Sequence, residues 1–244
     1  MGGLGPVVIL CGGRGTRLRE QTEAIPKALV EIGGRPILWH VIGIYAAQGF
    51  DEFVLLTGYK GGQIADWVGA ETWAGAEIDC VDTGLDTPTG GRIKQAKEHL
   101  GGRPFNATYA DGVADIDLRG LLDFHHGHDG LATLTAVRPP LQFGVAEIAD
   151  DGRVCEFSEK PRLDQWINGG FFRFEPGVLD YLEPDSVLER EPFERLASAG
   201  QLRAYRHHGF WDCMDTYKDA VELNDLWASG QAPWRAGAAA ADPA

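Results

Sequence analysis

Residues 7–27 (VVILCGGRGTRLREQTEAIPK) constrain the fold of this chain more than any other stretch. Residues 7–10 form an apolar, β-branched run that is too short for a helix and suits a strand buried on both faces. Three glycines follow within four positions, and they let backbone N–H groups turn inward and approach an anion closely. These glycines are Gly12, Gly13 and Gly15. Fixed positive charge comes from Arg14, Arg17 and Lys27. The stretch therefore predicts a strand that ends in a cradle for a triphosphate.

Two better-known glycine motifs do not fit this loop. A P-loop ends in Gly-Lys-Ser/Thr, whereas Gly15 is followed here by Thr16 and Arg17. A dinucleotide-binding fingerprint that starts at Gly13 needs glycine or alanine at position 18, which is Leu18. A plain tight turn between strand and helix is the remaining alternative, but it needs fewer glycines and no arginines. The loop therefore favours phosphate binding.

The first half of the chain alternates strand and helix patterns. Apolar spacing predicts helices over residues 36–45, 63–68 and 93–99, and strands over residues 52–57, 77–81 and 105–110. Such an alternation predicts a Rossmann-like α/β fold, in which a mostly parallel sheet is covered by helices. Ligands of these sheets bind at the carboxyl ends of the strands, which is where the glycine loop begins.

The second half changes to shorter strands separated by turn signals. Strand patterns cover residues 131–137, 143–148, 154–157, 169–174 and 202–205, and residues 150–153 (DDGR) indicate a hairpin. Helices are predicted from residue 175 to about residue 182 and over residues 192–199. A further helix follows residue 216 and ends at about residue 227. We expect this half to extend the sheet and to add antiparallel strands that form a pocket.

Composition bounds the class of protein. A chain of 244 residues is long enough for one domain with a large core, and we expect that domain over residues 6–234, between flexible termini at 1–5 and 235–244. The net charge of −14 argues against nucleic acids and membrane surfaces as partners. The four cysteines are far apart and form no CxxC pair, so we expect reduced, mostly buried thiols in a cytoplasmic protein.

Of two groups of polar residues that could bind a metal, one fits a metal site better than the other. Asp111 follows the predicted strand at residues 105–110, where a carboxylate can hold Mg²⁺ between phosphates. Helix capping is the alternative role, although Asp115 and Asp117 lie closer to the helix that begins at Leu118. Three histidines fall within residues 125–128, but they lack a partner at a ligand spacing, and a solvated helix end is the better interpretation.

Several motifs resemble a known family. The segment G-G-R-G-T-R-L, then P-K-A-L, resembles the signature of sugar-1-phosphate nucleotidyltransferases. The later segments T-G-Y-K-G, V-D-T-G, T-G-G-R, Y-A-D-G-V-A-D, S-E-K-P, I-N-G-G-F-F and F-W-D-C-M-D-T look like the glucose-1-phosphate cytidylyltransferase branch. The match runs in order from about residue 6 to residue 234.

The resemblance implies a nucleotide-diphospho-sugar transferase fold, with a nucleotide-binding part at about 6–130 and a sugar-phosphate-binding part at about 131–234. It implies nucleotidyl transfer from a nucleoside triphosphate, CTP in this branch, to a sugar 1-phosphate such as glucose 1-phosphate. The products are a nucleotide sugar and pyrophosphate, Mg²⁺ is the cofactor, and a homo-oligomer is expected.

The resemblance also implies roles for individual residues. The implied catalytic residues are Arg17, Lys27 and Asp111. The implied nucleotide-binding residues are Leu10, Gly12, Gly13, Gly15, Thr16, Arg17, Lys27, Thr89, Gly90, Arg92 and Asp111. The implied sugar-phosphate-binding residues are Gly112, Gly144, Glu159, Lys160, Asn168 and Gly169. The implied metal ligands are Asp111 and Asp215. Spacing alone does not separate Asp215 from its neighbour Asp212.

Two alternatives remain open. The same chemistry with another nucleotide, or with another sugar 1-phosphate such as a heptose or a modified hexose, is favoured by residues 67–82, which are shorter than in the cytidylyltransferases. In that branch the longer segment completes the nucleotide site across subunits. A non-catalytic sensor of nucleotides or sugar phosphates is the second alternative. Against it, every charged position that the family uses is filled.

Overall fold

The computed structural model describes residues 3–16, 22 and 24–235. Its strands are, in chain order, β1 (Val7–Leu10), β2 (Glu31–Ile32), β3 (Arg35–Pro36), β4 (Glu52–Thr57), β5 (Glu77–Asp82), β6 (Phe105–Tyr109), β7 (Gly112–Ala114), β8 (Ala132–Val137), β9 (Val145–Ile148), β10 (Val154–Ser158), β11 (Ile167–Phe174), β12 (Leu202–Arg206) and β13 (Trp211–Cys213). Its α-helices are α1 (Ile37–Ala46), α2 (Gly61–Ala70), α3 (Thr89–Gln95), α4 (Lys97–Leu100), α5 (Leu118–His126), α6 (Glu191–Ser198) and α7 (Tyr217–Ala228). Short 3₁₀ helices occupy Lys27–Leu29 and Pro176–Tyr181.

A seven-stranded sheet in the order β12-β8-β11-β6-β1-β4-β5 forms the centre of the structure. Strands β6, β1, β4 and β5 pair in parallel, as expected for strands joined by helical crossovers. Strand β11 is inserted antiparallel between β6 and β8, and β12 then pairs in parallel with β8. The expectation of a mostly parallel α/β sheet with added antiparallel pairing is confirmed.

Helices and loops cover both faces of this sheet because its strands are apolar on both sides. Val7 and Ile9 of β1 point into one core, whereas Val8 and Leu10 point into the other. Helix α1 packs inside the first core, and nine of its ten residues are buried. Burial on both faces explains why β1 is a continuous apolar run instead of an alternating one.

One hairpin lies apart from the sheet. Strands β9 and β10 pair only with each other, and every residue of both strands is exposed. Ile148 and Phe157 are 66% and 63% exposed. Two backbone hydrogen bonds close its base, from Leu141 N–H to the Pro161 carbonyl at 2.8 Å and from Leu163 N–H to the Pro139 carbonyl at 3.1 Å.

Some local expectations are wrong. The helix expected over residues 93–99 begins at Thr89, because Gly90 and Gly91 let its first turn pack against the backbone of residues 184–186. The helix expected from residue 175 to about 182 is present, but it is a 3₁₀ helix over Pro176–Tyr181 and not an α-helix. Not all cysteines are shielded, since Cys155 is exposed.

The histidine-rich end of α5 is not fully solvated. His125 is buried, and its ring nitrogens contact the Thr133 hydroxyl at 2.8 Å and the Glu175 carboxylate at 3.2 Å. Burial lowers the pKa of His125 to about 4, so this imidazole is neutral at pH 7.

The C-terminal segment docks on the core, as the aromatic residues near the end of the sequence predict. Trp234 is buried, and its indole N–H donates to His40 Nδ1 at 3.3 Å. Arg235 lies over the Trp227 ring, whereas residues 236–244, expected to be flexible, fall outside the described residues. No helix in the described part of the chain is both long and apolar enough to cross a membrane.

Candidate active site

A cleft of about 630 Å³ opens at the carboxyl ends of β1 and β6. The glycine loop, residues 85–89, the start of β11 and the end of β13 contribute its walls. Most of the residues implied by the family resemblance come together here. Those that line the cleft are Leu10, Gly12, Gly13, Gly15, Lys27, Thr89, Arg92, Asp111, Gly112, Asn168, Gly169 and Asp215.

Lys27 joins the two carboxylates expected to bind metal. Its ammonium donates to Asp215 Oδ1 at 2.6 Å and to Asp111 Oδ2. Burial alone would lower the pKa of Lys27, but Asp111 and then Asp215 outweigh that effect and raise it. Lys27 is therefore cationic, and it keeps two carboxylates converged that would otherwise repel each other.

Strand pairing brings these carboxylates together from distant parts of the sequence. Asp111 follows β6 and precedes β7, and β7 pairs antiparallel with β13. The Met214 N–H donates to the Asp111 carbonyl at 2.9 Å, which places Asp215 beside the same strand end. The backbone thus sets the position of the pair before any ligand binds.

Asp212 lies elsewhere. Its carboxylate accepts a hydrogen bond from the Cys213 N–H at 2.8 Å and faces a second cavity that is also lined by Lys160 and Lys218. Burial raises the pKa of Asp212 to about 6. The two candidates that spacing left open are therefore separated by the fold, which brings Asp215 to Asp111.

Arg92 holds the glycine loop from beneath. Its guanidinium, in a side chain only 4% exposed, donates to the carbonyls of Thr57, Gly12 and Leu85 at 2.8, 3.2 and 3.3 Å. A Cβ on Gly12 would lie 2.1 Å from the Arg92 Cζ atom. Gly12 is therefore required for packing against Arg92.

Gly13 differs from its neighbour. A Cβ at Gly13 would have no atom within 4 Å, so its backbone faces open space in the cleft. Gly15 has a φ of 60°, a conformation that glycine adopts without steric cost. Each glycine of the loop therefore has a different role: Gly12 packs against Arg92, and Gly15 allows the left-handed backbone. Gly13 leaves the backbone accessible to an anion.

The cleft entrance carries a further cation. Arg14 donates to Asp86 at 3.0 Å, and both side chains are largely exposed. Thr16 and Gly90 do not line the cleft, and Arg17 lies outside the described residues.

The opposite wall is formed by the start of β11. Asn168 Oδ1 accepts from the Gly170 N–H at 2.9 Å, and the Trp211 indole N–H donates to the Gly169 carbonyl at 2.7 Å. Gly170 has a φ of 77°, and a Cβ there would lie 2.6 Å from the Tyr109 ring. Trp211 and Tyr109 are cleft residues that the sequence analysis missed, because only their position beside strand ends marks them.

Three residues implied in sugar-phosphate binding lie outside this wall. Gly144, Glu159 and Lys160 belong to the base of the β9–β10 hairpin and do not line the cleft. Gly144 faces Glu159, since a Cβ on it would lie 2.8 Å from the Glu159 carboxylate. Lys160 lines the second cavity of about 350 Å³.

The donor set suits magnesium. Mg²⁺ takes oxygen ligands and commonly uses one or two carboxylates together with substrate phosphates. Asp111 and Asp215 converge on a single cation already, which is what such a site requires. Within residues 3–16, 22 and 24–235, no cluster of three or more His, Cys, Asp or Glu side chains is arranged to hold a metal.

The sequence matches a known family over most of its length. The family model for nucleotidyl transferases matches residues 6–226, and the chain belongs to this family. The probable glucose-1-phosphate cytidylyltransferase of Bacillus subtilis (strain 168) is 43% identical over 253 residues, which cover 93% of this chain and 98% of that protein. The glucose-1-phosphate cytidylyltransferase of Salmonella typhi is 42% identical over 255 residues, with the same coverage of both chains.

Solved structures show the same fold. HddC from Yersinia pseudotuberculosis superposes with a TM-score of 0.73 at 23% identity, covering 91% of this chain and 99% of that one. The resemblance drawn from the sequence motifs and the fold that it implies are both confirmed.

Proposed function

We propose that this protein transfers the cytidylyl group of CTP to glucose 1-phosphate and releases pyrophosphate. The observation that carries this proposal is the Lys27–Asp111–Asp215 centre at the bottom of the cleft, beside the glycine loop. Relatives that match almost the whole chain carry the name of this activity, which supports the choice of CTP and glucose 1-phosphate.

The chemistry requires no general base. The second pKa of a phosphate monoester is about 6, so the sugar phosphate is already a dianionic nucleophile at neutral pH. The two cysteines that line the cleft, Cys11 and Cys213, are poor nucleophiles toward the α-phosphate. Burial raises the pKa of Cys213 to about 12 and also raises that of Cys11, so both thiols are protonated. Direct attack of the sugar phosphate on the α-phosphate follows.

The protein must then align anions that repel one another and neutralise their charge. Backbone N–H groups of the glycine loop, with Arg17, would hold the triphosphate and the departing pyrophosphate. Lys27 would stabilise negative charge at the α-phosphate. On the other wall, Asn168 would hold the sugar. Lys160, which lies outside the cleft at the base of the hairpin, would neutralise the sugar phosphate from there.

Asp111 and Asp215 would hold Mg²⁺. When bound, the metal supplies a Lewis acid and a template for the reacting phosphates. The contribution of the chain itself is to keep both carboxylates converged, and the Lys27 ammonium performs this role between them.

The test is pyrophosphate release with glucose 1-phosphate and Mg²⁺, measured separately with CTP, UTP, dTTP, GTP and ATP. We expect strong turnover with CTP alone. Turnover with another base would keep the reaction and overturn the choice of nucleotide. If none of the five is used, replacing glucose 1-phosphate with heptose or modified hexose 1-phosphates tests the sugar. Silence with all of them would overturn the enzymatic function and favour a sensor.

A further inference from the structure

Glu189 connects the two walls of the cleft without lining it. It precedes α6, is exposed, and forms no ion pair with any cation in the described part of the chain. Its two carboxylate oxygens nevertheless have separate partners. Oε2 accepts from the Thr89 hydroxyl at 2.8 Å, and Oε1 accepts from the Tyr109 hydroxyl.

Thr89 anchors the carboxylate. The Leu188 N–H donates to the Thr89 hydroxyl oxygen at 2.9 Å, so the hydroxyl proton of Thr89 is directed to Glu189. Because the hydrogen bond from Thr89 holds Oε2 of Glu189, Oε1 of the same carboxylate points toward Tyr109.

The direction of the next hydrogen bond follows from proton counting. An ionised carboxylate can only accept, so the single hydroxyl proton of Tyr109 must point at Glu189. The Tyr109 oxygen is then left as an acceptor, and Asn168 Nδ2 donates to it at 3.4 Å.

Asn168 is thereby held in one orientation. Its Oδ1 accepts from the Gly170 N–H, and one of its two amide N–H groups goes to Tyr109. The second N–H remains for a ligand in the cleft that Asn168 lines. If the amide were rotated, its oxygen would face the cleft in place of this N–H group. A sugar hydroxyl would then have to donate a hydrogen bond to Asn168 instead of accepting one.

We propose that Glu189 is a positioning residue for sugar recognition, acting through Tyr109 to set the orientation of the Asn168 amide. The inference rests on the proposed function, since it assigns Asn168 to the sugar 1-phosphate. The partners of Glu189 at Tyr109 and Thr89 are 80 and 100 residues away in sequence, so only the fold joins them.

The test is steady-state kinetics of Glu189→Gln with glucose 1-phosphate and CTP varied in turn. Glutamine keeps the shape of the side chain but replaces one acceptor oxygen with an NH₂ group, which cannot accept a hydrogen bond. The KM for glucose 1-phosphate should rise about tenfold, the effect of losing one well-placed hydrogen bond. The KM for CTP and kcat should change by less than about twofold.

Glu191→Gln is the matched control, because Glu191 is also exposed and, among the described residues, its one ion pair is with Arg195 on the same helix, at 3.1 Å. It should behave as the wild type. Tyr109→Phe should raise the KM for glucose 1-phosphate as well, and the double variant with Glu189→Gln should be no worse than Tyr109→Phe alone.

Three results would overturn the inference. The first is an unchanged KM for glucose 1-phosphate in Glu189→Gln. The second is an equal rise in both KM values together with a lower melting temperature, which indicates a merely structural role. The third is additive effects in the double variant. A wild type without turnover on any sugar phosphate is a different result, because it overturns the proposed function itself.

Discussion

The nucleotide side and the hairpin side of the molecule differ in how their residues are supported. On the nucleotide side, the buried Arg92 guanidinium binds three backbone carbonyls and Gly12 packs directly against it. On the hairpin side, Gly144, Glu159 and Lys160 lie at the base of two exposed strands. A two-stranded hairpin is at best marginally stable by itself.

This difference suggests a division of labour. Phosphate chemistry, which needs aligned charges, is built on the rigid sheet edge. The sugar-phosphate contacts proposed for the hairpin would be carried by a segment that can vary without disturbing the sheet. The predictions below test each side of this comparison, beginning with the largest expected effect.

The charge centre should be indispensable. Lys27→Met and Asp111→Asn should each lower kcat by about 10³-fold, because each removes a fixed charge aimed at the reacting phosphates. Asp215→Asn should have a similarly large effect, whereas Asp212→Asn should retain most activity. Pyrophosphate release measures the rates, and circular dichroism checks that the variants are folded. Near-normal turnover in any of the first three variants would remove that residue from the chemistry.

The glycine loop should not tolerate a methyl group at Gly12, which packs against Arg92. Gly12→Ala forces a Cβ into the Arg92 guanidinium and should lower the free energy of unfolding by about 2 kcal/mol. Gly13→Ala is the matched control, since its Cβ meets no atom within 4 Å, and its stability should equal that of the wild type. Urea unfolding followed by fluorescence measures both. Equal stability of the two variants would show that Arg92 does not hold the loop.

Acid should lower the free energy of unfolding through the buried His40. His40 is fully buried, its Nε2–H donates to the Ile32 carbonyl at 2.8 Å, and its Nδ1 accepts from Trp234. Burial lowers the pKa of His40 to about 4, below its ordinary value of 6.5. The stabilising contribution of the neutral ring is therefore full above pH 6.5 and is lost as the pH falls toward 4.

At pH 5 this linkage should cost about 2 kcal/mol of unfolding free energy relative to pH 7. Urea unfolding at the two pH values should show that His40→Gln loses about that much less than the wild type. His126→Gln, which changes an exposed histidine on α5, should keep the wild-type difference. An unaltered pH difference in His40→Gln would contradict the assignment.

The hairpin should affect only the sugar phosphate. Lys160→Ala should raise the KM for glucose 1-phosphate about tenfold, the effect of losing one charge-assisted contact to phosphate, and leave the KM for CTP unchanged. Lys218→Ala removes another lysine from the same second cavity and should leave both values unchanged. If Lys160→Ala has no effect, the hairpin does not reach the sugar phosphate.

Local signals were enough to predict the framework and part of the site. Strand β4 was expected at residues 52–57 and is found there, because its apolar run is bounded by clear turn residues. Asp111 was identified because it follows a predicted strand, and Lys27 because its charge lies close to the glycine loop, in the P-K-A-L segment that resembles the family. These signals depend on neighbouring residues only.

Long-range packing was not visible in the sequence. Gly90 and Gly91 lie before the helix predicted over residues 93–99, but in the structure they belong to α3 and allow its close packing against residues 184–186. The resemblance favoured Asp215, but residue spacing did not separate it from Asp212, whereas the pairing of β13 with β7 does. Glu189 gave no signal, because a lone glutamate before a helix is ordinarily solvated and its partners lie far away in sequence.

The most direct test of the account is isotope exchange between CTP and labelled pyrophosphate, with and without glucose 1-phosphate. Direct transfer in one cleft predicts that label enters CTP only when glucose 1-phosphate is present. Exchange without the sugar phosphate would show a covalent nucleotidyl-protein and contradict the direct attack. No exchange under either condition would contradict the proposed transfer of a cytidylyl group.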